Sequence, residues 1–191
     1  ARHLEPGSIH IVYGHGGDAV KAAFAGDSDL RWTLQAEQLG TGHAVAQALP
    51  SIPDDHQVLV LLGDVPLVRA RTLQRLAAPA AEGELALLSA VVDDPTRYGR
   101  VVRHELGDVA RIVEEKDAND HARRINEVNT GLIALNAGAL RRYLASLDND
   151  NAQGEFRLTD ADALAAADGI KVQGIVIDEA TEVLGINDRV Q

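Results

Sequence analysis

Short apolar runs alternate with amphipathic stretches along nearly the whole chain, the pattern of βαβ units. Runs at 9–13, 32–34, 58–62, 85–92 and 172–177 predict strands, and stretches at 18–25, 41–49, 70–78, 139–147 and 159–167 predict helices. Thr41 is placed to cap its helix, which Pro50 ends; Pro79 ends the 70–78 helix. The run Val58-Leu59-Val60-Leu61-Leu62 is continuously apolar, the mark of a strand buried on both faces of a parallel sheet, and it leads into Gly63-Asp64. Between 98 and 113 the alternation breaks: Val101-Val102 and 109–113 flank Glu105-Leu106-Gly107-Asp108 as a hairpin would. A further strand, 132–135, follows Asn129-Thr130-Gly131, and Asp148 to Gln153 reads as a polar loop. The expectation is one α/β domain, a mostly parallel sheet flanked by helices with a small β-hairpin insertion.

Composition narrows the function. The 191 residues carry 29 acidic against 18 basic side chains, a formal charge of −11, which disfavours a broad nucleic-acid-binding surface. A small anionic substrate would depend on local help from a cation, backbone amides and single basic residues. Zero cysteines remove disulfides, thiolate metal sites and thiol catalysis, and suit a cytoplasmic enzyme. No apolar run approaches the ~20 residues that span a bilayer, so no membrane partner is expected.

Several segments carry possible chemistry. Asp64, after the 58–62 strand, projects from the carboxyl edge of the sheet, where ligands of open α/β sheets bind; a hard cation such as Mg²⁺ or a simple turn role suits it equally. Gln35 to Ala44 combines amide side chains with a Gly40-Thr41-Gly42 turn ahead of a helix, able to bring backbone N–H groups to a ligand or merely to cap that helix. Gly14-His15-Gly16-Gly17 lacks both the GxGxxG register and a Walker lysine and reads as an ordinary βα turn. The seven histidines show no metal-binding spacing and read as mostly surface residues. Glu114, beyond Ile112-Val113, stands at a sheet edge where it could accept sugar hydroxyls.

Seven segments in one order carry a family resemblance: 35–44, Gly63-Asp64-Val65-Pro66-Leu67, 93–100, Ile112-Val113-Glu114-Glu115-Lys116-Asp117, Glu127-Val128-Asn129-Thr130-Gly131, 149–155 and 185–189. Together they resemble the N-terminal pyrophosphorylase domain of the bacterial bifunctional N-acetylglucosamine-1-phosphate uridyltransferase / glucosamine-1-phosphate acetyltransferases. The resemblance implies a Rossmann-like nucleotidyltransferase fold. It also implies the reaction of UTP with N-acetylglucosamine 1-phosphate to give UDP-N-acetylglucosamine, a cell-wall and lipopolysaccharide precursor, and pyrophosphate. By the same resemblance Gln35, Gly40 and Thr41 hold the uracil and ribose side, Leu62 and Gly63 line the nucleotide, and Asp64 and Asn187 ligate Mg²⁺ and serve catalysis. Gly99, Glu114 and Asn129 contact the N-acetylglucosaminyl group. The sugar phosphate oxygen would attack the α-phosphorus in line with pyrophosphate as leaving group, and no general base is needed because the nucleophile is already an anion.

Two departures accompany the match. Leu62 stands where the family usually has tyrosine. The family's first strand, glycine-rich loop and Pro-Lys pair are not in these residues, so the chain is expected to be an N-terminally incomplete domain, inactive alone in a pyrophosphate-release assay. The family's C-terminal β-helix, which acetylates glucosamine 1-phosphate and forms trimers, is likewise outside it. Two other readings stay open: a nucleotidyltransferase for another sugar 1-phosphate, and a nucleotide-sugar-binding domain without catalysis.

Overall fold

The computed structural model describes residues 1–105, 107–151, 153–183 and 185. In chain order the elements are β1 (Ile9–Tyr13), α1 (Asp18–Ala23), β2 (Leu30–Leu34), α2 (Thr41–Ala48), β3 (Gln57–Val60), α3 (Ala70–Ala81), β4 (Leu85–Val91), β5 (Arg100–Arg103), β6 (Val109–Val113), β7 (Glu127–Asn136), α4 (Ala137–Ala145), α5 (Asp160–Ala167) and β8 (Val172–Val176). The main sheet runs β6-β5-β7-β4-β8, with β3 also paired to β7, while β1 and β2 form a separate parallel pair.

The α/β layering matches the pattern of apolar positions, but the sheet is mixed rather than mostly parallel. Among the described strands only β1 with β2 and β4 with β8 pair in parallel; β7 runs antiparallel to β3, β4 and β5, and β5 to β6 in the expected hairpin. A single long strand accounts for this. Where 132–135 is expected as a separate strand, β7 extends from Glu127 through Asn129-Thr130-Gly131 to Asn136. The expected five-residue buried strand also shrinks: β3 stops at Val60, its faces are only half-buried, and Leu61 is exposed. β7 is its only partner, and one of its edges is unpaired, among the described strands. Helix α3 continues two residues past Pro79, because a proline so near a C-terminus deletes only one late hydrogen bond.

Two apolar layers hold the sheet. On β4, Leu85 and Leu87 face the side of α4 and α5, packing with Leu135, Leu140 and Ala161; Ala86, Leu88 and Ala90 face α3, against Leu73 and Leu76. Each fully buried leucine contributes about 1.5–3 kcal/mol relative to exposure.

The feature that positions the site is a bulge in β7. Leu87 faces Ile133 on β7 but Ser89 faces Asn129, so Thr130, Gly131 and Leu132 stand against Leu88 alone. Each residue of Asn129-Thr130-Gly131 repairs part of that break. The Thr130 hydroxyl donates to the Leu88 carbonyl at 2.8 Å, the Asn129 Oδ1 accepts from the Gly131 N–H at 3.2 Å, and Gly131 takes φ of 79°. A Cβ at Gly131 would lie 2.9 Å from Leu62 Cδ1.

In the same core, α5 buries a carboxyl group. Asp162 is 5% exposed and its Oδ2 has no hydrogen-bond partner among the described residues. Burial pushes its pKa up from 3.8 to about 7, against the opposing effect of the Ala163, Asp162 and Ile112 N–H groups. A carboxyl group with a raised folded pKa binds more protons folded than unfolded between those values, so its penalty grows as pH rises through that window and stays in full above it.

Thermal unfolding of Asp162→Asn is therefore expected to show little change near pH 4 and a stabilisation growing toward pH 8, up to about 4 kcal/mol; a pH-independent difference contradicts the assignment. Gly131→Ala is expected to lower stability by roughly 1–3 kcal/mol in urea titrations, through its φ and its collision with Leu62, and an unchanged midpoint would show that the bulge relaxes freely.

Candidate functional site

The two strands flanking β7 on its outer edge explain why the expected sugar-binding residues meet. Val128 pairs with β4 on one edge and with Arg100 of β5 on the other; Ile133 pairs with β4 and, oppositely, with Val60 of β3. One edge of β7 thus passes from β5 to β3, and the bulge lies at the changeover. Gly99, just before β5, accepts from the Asn129 N–H at 2.8 Å. Leu62, just after β3, packs over Gly131 from the other side, bringing the exposed Gly63-Asp64 turn to the same opening.

Glu114, at the end of β6, closes the group. A Cβ at Gly99 would lie 3.3 Å from Glu114 Oε2 and 2.9 Å from Ile112 Cγ2, so only glycine lets that carboxylate come so near the backbone. Its Oε1 accepts from the Thr159 hydroxyl at 3.1 Å. Thr159 is the N-cap of α5 but makes no capping bond; its hydroxyl is turned to Glu114 instead, forgoing about 1 kcal/mol of capping. Next to it, the buried Arg100 donates to the Tyr98 carbonyl and to Glu115 Oε2, the latter at 2.5 Å, neutralising the second carboxylate of the Glu114-Glu115 pair.

The residues expected on the base side form a second group. Gln35 follows β2, is 9% exposed, and donates through Nε2 to the Gly40 carbonyl at 3.1 Å. Gly40, with φ of 115°, is the N-cap of α2, so Thr41 is the first helical residue rather than the cap. The Thr41 hydroxyl is used elsewhere, accepting from the Leu158 N–H at 3.0 Å. A Cβ at Gly40 would lie 2.6 Å from the Phe156 carbonyl oxygen, and Gly42 N–H donates to that same oxygen at 2.8 Å. Segment 156–159 therefore clamps the Gly40-Thr41-Gly42 turn at one end and reaches Glu114 at the other. Sequence reading places Thr159 only at a helix start; the clamp joins residues from 45 to 117 positions apart and leaves no local signal.

Asp64 is exposed in its turn, and no described side chain hydrogen-bonds to it or pairs with it. Asn187, the expected second ligand, lies outside the described residues. No group of three or more metal-ligating side chains occurs among the described residues. A free carboxylate still suits Mg²⁺, which is commonly held by one or two carboxylates together with substrate phosphates and water. A cavity of about 650 Å³ opens beyond the end of β4, lined by Val91, Asp93, Asp94, Arg97, Tyr98 and Ala180. It contains none of the expected residues, and its exposed carboxylates make it a poor receptor for a sugar phosphate.

Comparison with known proteins places this architecture. A family model described as nucleotidyl transferase matches residues 18–179. Bifunctional protein GlmU of Stenotrophomonas maltophilia is 56% identical over 188 residues, 98% of this chain and 41% of its own length. The proteins of the same name from Alkalilimnicola ehrlichii and Halorhodospira halophila are 57% and 59% identical over 98% of this chain, covering 40% and 39% of themselves. The chain thus spans about two fifths of the length of the curated relatives it matches. A crystal structure of UDP-glucose pyrophosphorylase complexed with UDP-glucose shares the fold, with a TM-score of 0.70 at 15% identity over 88% of this chain and 72% of that one. The family model covers most of the 191 residues, and this chain is a member of the nucleotidyl transferase family.

Proposed function

We propose that this chain is the uridylyltransferase part of a GlmU-type protein, forming UDP-N-acetylglucosamine and pyrophosphate from UTP and N-acetylglucosamine 1-phosphate. The observation that carries the reading is the convergence of Gly99, Glu114 and Asn129 at the changeover on β7. There the half-buried Glu114 carboxylate and the Asn129 side-chain amide can take sugar hydroxyl and acetamido groups, acceptor and donor side by side. Gln35 and the Gly40 turn hold the base at the other end of the clamp, which sets the length of ligand that fits both.

The chain's own residues bind and orient. Alignment of the sugar phosphate oxygen with the α-phosphorus follows from fixing the sugar at one end and the base at the other, and such positioning is most of the catalysis that phosphoryl transfer requires. Mg²⁺, when bound, would neutralise charge on the phosphates, held by Asp64 and Asn187. As the bond from the sugar phosphate oxygen to the α-phosphorus forms, that to the pyrophosphate oxygen breaks, with no proton to remove.

The β1–β2 pair makes no hydrogen bond to the main sheet through a described strand, and we read it as awaiting a further strand that also supplies the phosphate loop. Acetyl transfer to glucosamine 1-phosphate and trimer formation belong, in this reading, to the remainder of the longer protein. Among the described residues no helix is long and apolar enough to cross a membrane, and the proposed placement is cytoplasmic, where UTP is available.

Calorimetric titration tests the site. UDP-N-acetylglucosamine is expected to bind, with Glu114→Gln weakening it about tenfold or more while leaving UDP within about twofold, as loss of a charged hydrogen bond to the sugar alone would do. Asp64→Ala is expected to abolish the gain in affinity on adding Mg²⁺. Equal losses for both ligands on Glu114→Gln, or binding of neither by the unaltered chain, would contradict the reading.

A further inference from the structure

The Gln35 amide is held by a residue that sequence spacing leaves among ordinary surface histidines. Gln35 Nε2 lies 3.1 Å from the Gly40 carbonyl oxygen and 3.0 Å from His43 Nδ1, while His43 Nε2 lies 3.1 Å from the amide of Gln47. A carbonyl oxygen can only accept, so the nitrogen end of the Gln35 amide must face Gly40, and its second hydrogen then points at His43 Nδ1. A neutral imidazole has one acceptor nitrogen, and here two amides compete for it. Gln35 is buried and makes two bonds through its NH₂. Gln47 is less buried, and its other contact, to the His43 carbonyl, is long at 3.3 Å. The better-buried amide wins: Nδ1 accepts from Gln35, Nε2 carries the proton, and Gln47 turns its oxygen to receive it.

With both NH₂ hydrogens occupied, the Gln35 Oε1 is the free end. It has no hydrogen-bond partner among the described residues and is not sealed from solvent. We propose that His43 is a positioning residue that locks the Gln35 amide with its oxygen outward, so that the site accepts a nucleobase bearing a ring N–H, such as uracil, and rejects one bearing a ring nitrogen acceptor, such as cytosine. This rests on the nucleotide site proposed above. It makes base selection depend on one imidazole tautomer as well as on the Gly40 carbonyl, because a second acceptor on the same NH₂ raises the cost of turning the amide to suit the other base.

Two measurements on the 191-residue chain test it. Nitrogen-15 NMR of the ligand-free protein reads the ring directly: His43 is expected to carry its proton on Nε2 with Nδ1 unprotonated, and an Nδ1–H tautomer overturns the proposal whether or not any nucleotide binds. Calorimetry then compares UDP with CDP. The unaltered chain and His43→Asn, whose Oδ1 stands in for Nδ1 as acceptor, are expected to prefer UDP by about tenfold or more, whereas His43→Phe and His43→Gln bring the ratio toward one. A ratio unchanged in His43→Phe overturns the proposal, since simple destabilisation would weaken both ligands alike. Absence of UDP and CDP binding to the unaltered chain would count against the nucleotide site instead, leaving the tautomer to decide the role of His43.

Discussion

The structure turns on how one edge of β7 is shared. A strand has two edges, and β4 takes one of them on both sides of the bulge. β5 and β3 divide the other, and between Asn129, whose N–H bonds to Gly99, and Ile133 the backbone runs past no paired strand on that edge among the described strands. The Asn129 Oδ1 accepts from the Gly131 N–H and the Thr130 hydroxyl accepts from the Leu132 N–H while donating to the Leu88 carbonyl of β4, with Gly131 in a left-handed conformation between them. The opening that results is lined by the ends of three strands and needs no loop of its own to define it. Functional side chains placed there inherit the rigidity of the sheet, which is what positioning of a phosphoryl-transfer substrate requires.

The second constraint is the 156–159 segment. Phe156 and Leu158 bond to the turn that starts α2, and Thr159 bonds to Glu114, so the base and sugar ends of the proposed site are tied through four consecutive residues. The left-handed Gly40, pressed against the Phe156 carbonyl, is the steric signature of that closeness. Polar side chains at the two helix starts bond across the clamp: the first-turn Thr41 to Leu158, and the N-cap Thr159 to Glu114 in place of its own helix. A helix cap has been given up locally to fix the spacing between two binding ends.

Much of this was legible in the amino-acid pattern, and the failures have physical causes. Apolar runs located β1, β4, β8 and the β5–β6 hairpin because burial is a local property of each run. Strand direction was not legible, since parallel and antiparallel pairing depend on which distant strand is adjacent; β7, expected to begin after Gly131, instead runs through it as a bulge. The apolar run at 58–62 overstated burial because its strand has a neighbour on one edge only among the described strands. Family resemblance nominated Gly99, Glu114 and Asn129, and these meet in space; it could not reveal the Thr159 bond, the buried Asp162 carboxyl with its unpartnered Oδ2, or the His43–Gln35 contact, each of which depends on packing between separate elements.

The most direct test of the central claim is a crystal structure of this chain with UDP-N-acetylglucosamine. The N-acetylglucosaminyl group is predicted against Gly99, Glu114 and Asn129 at the β7 changeover, with the uracil at Gln35. A ligand lodged instead in the cavity lined by Asp93, Arg97 and Tyr98, with the β7 opening empty, would contradict it.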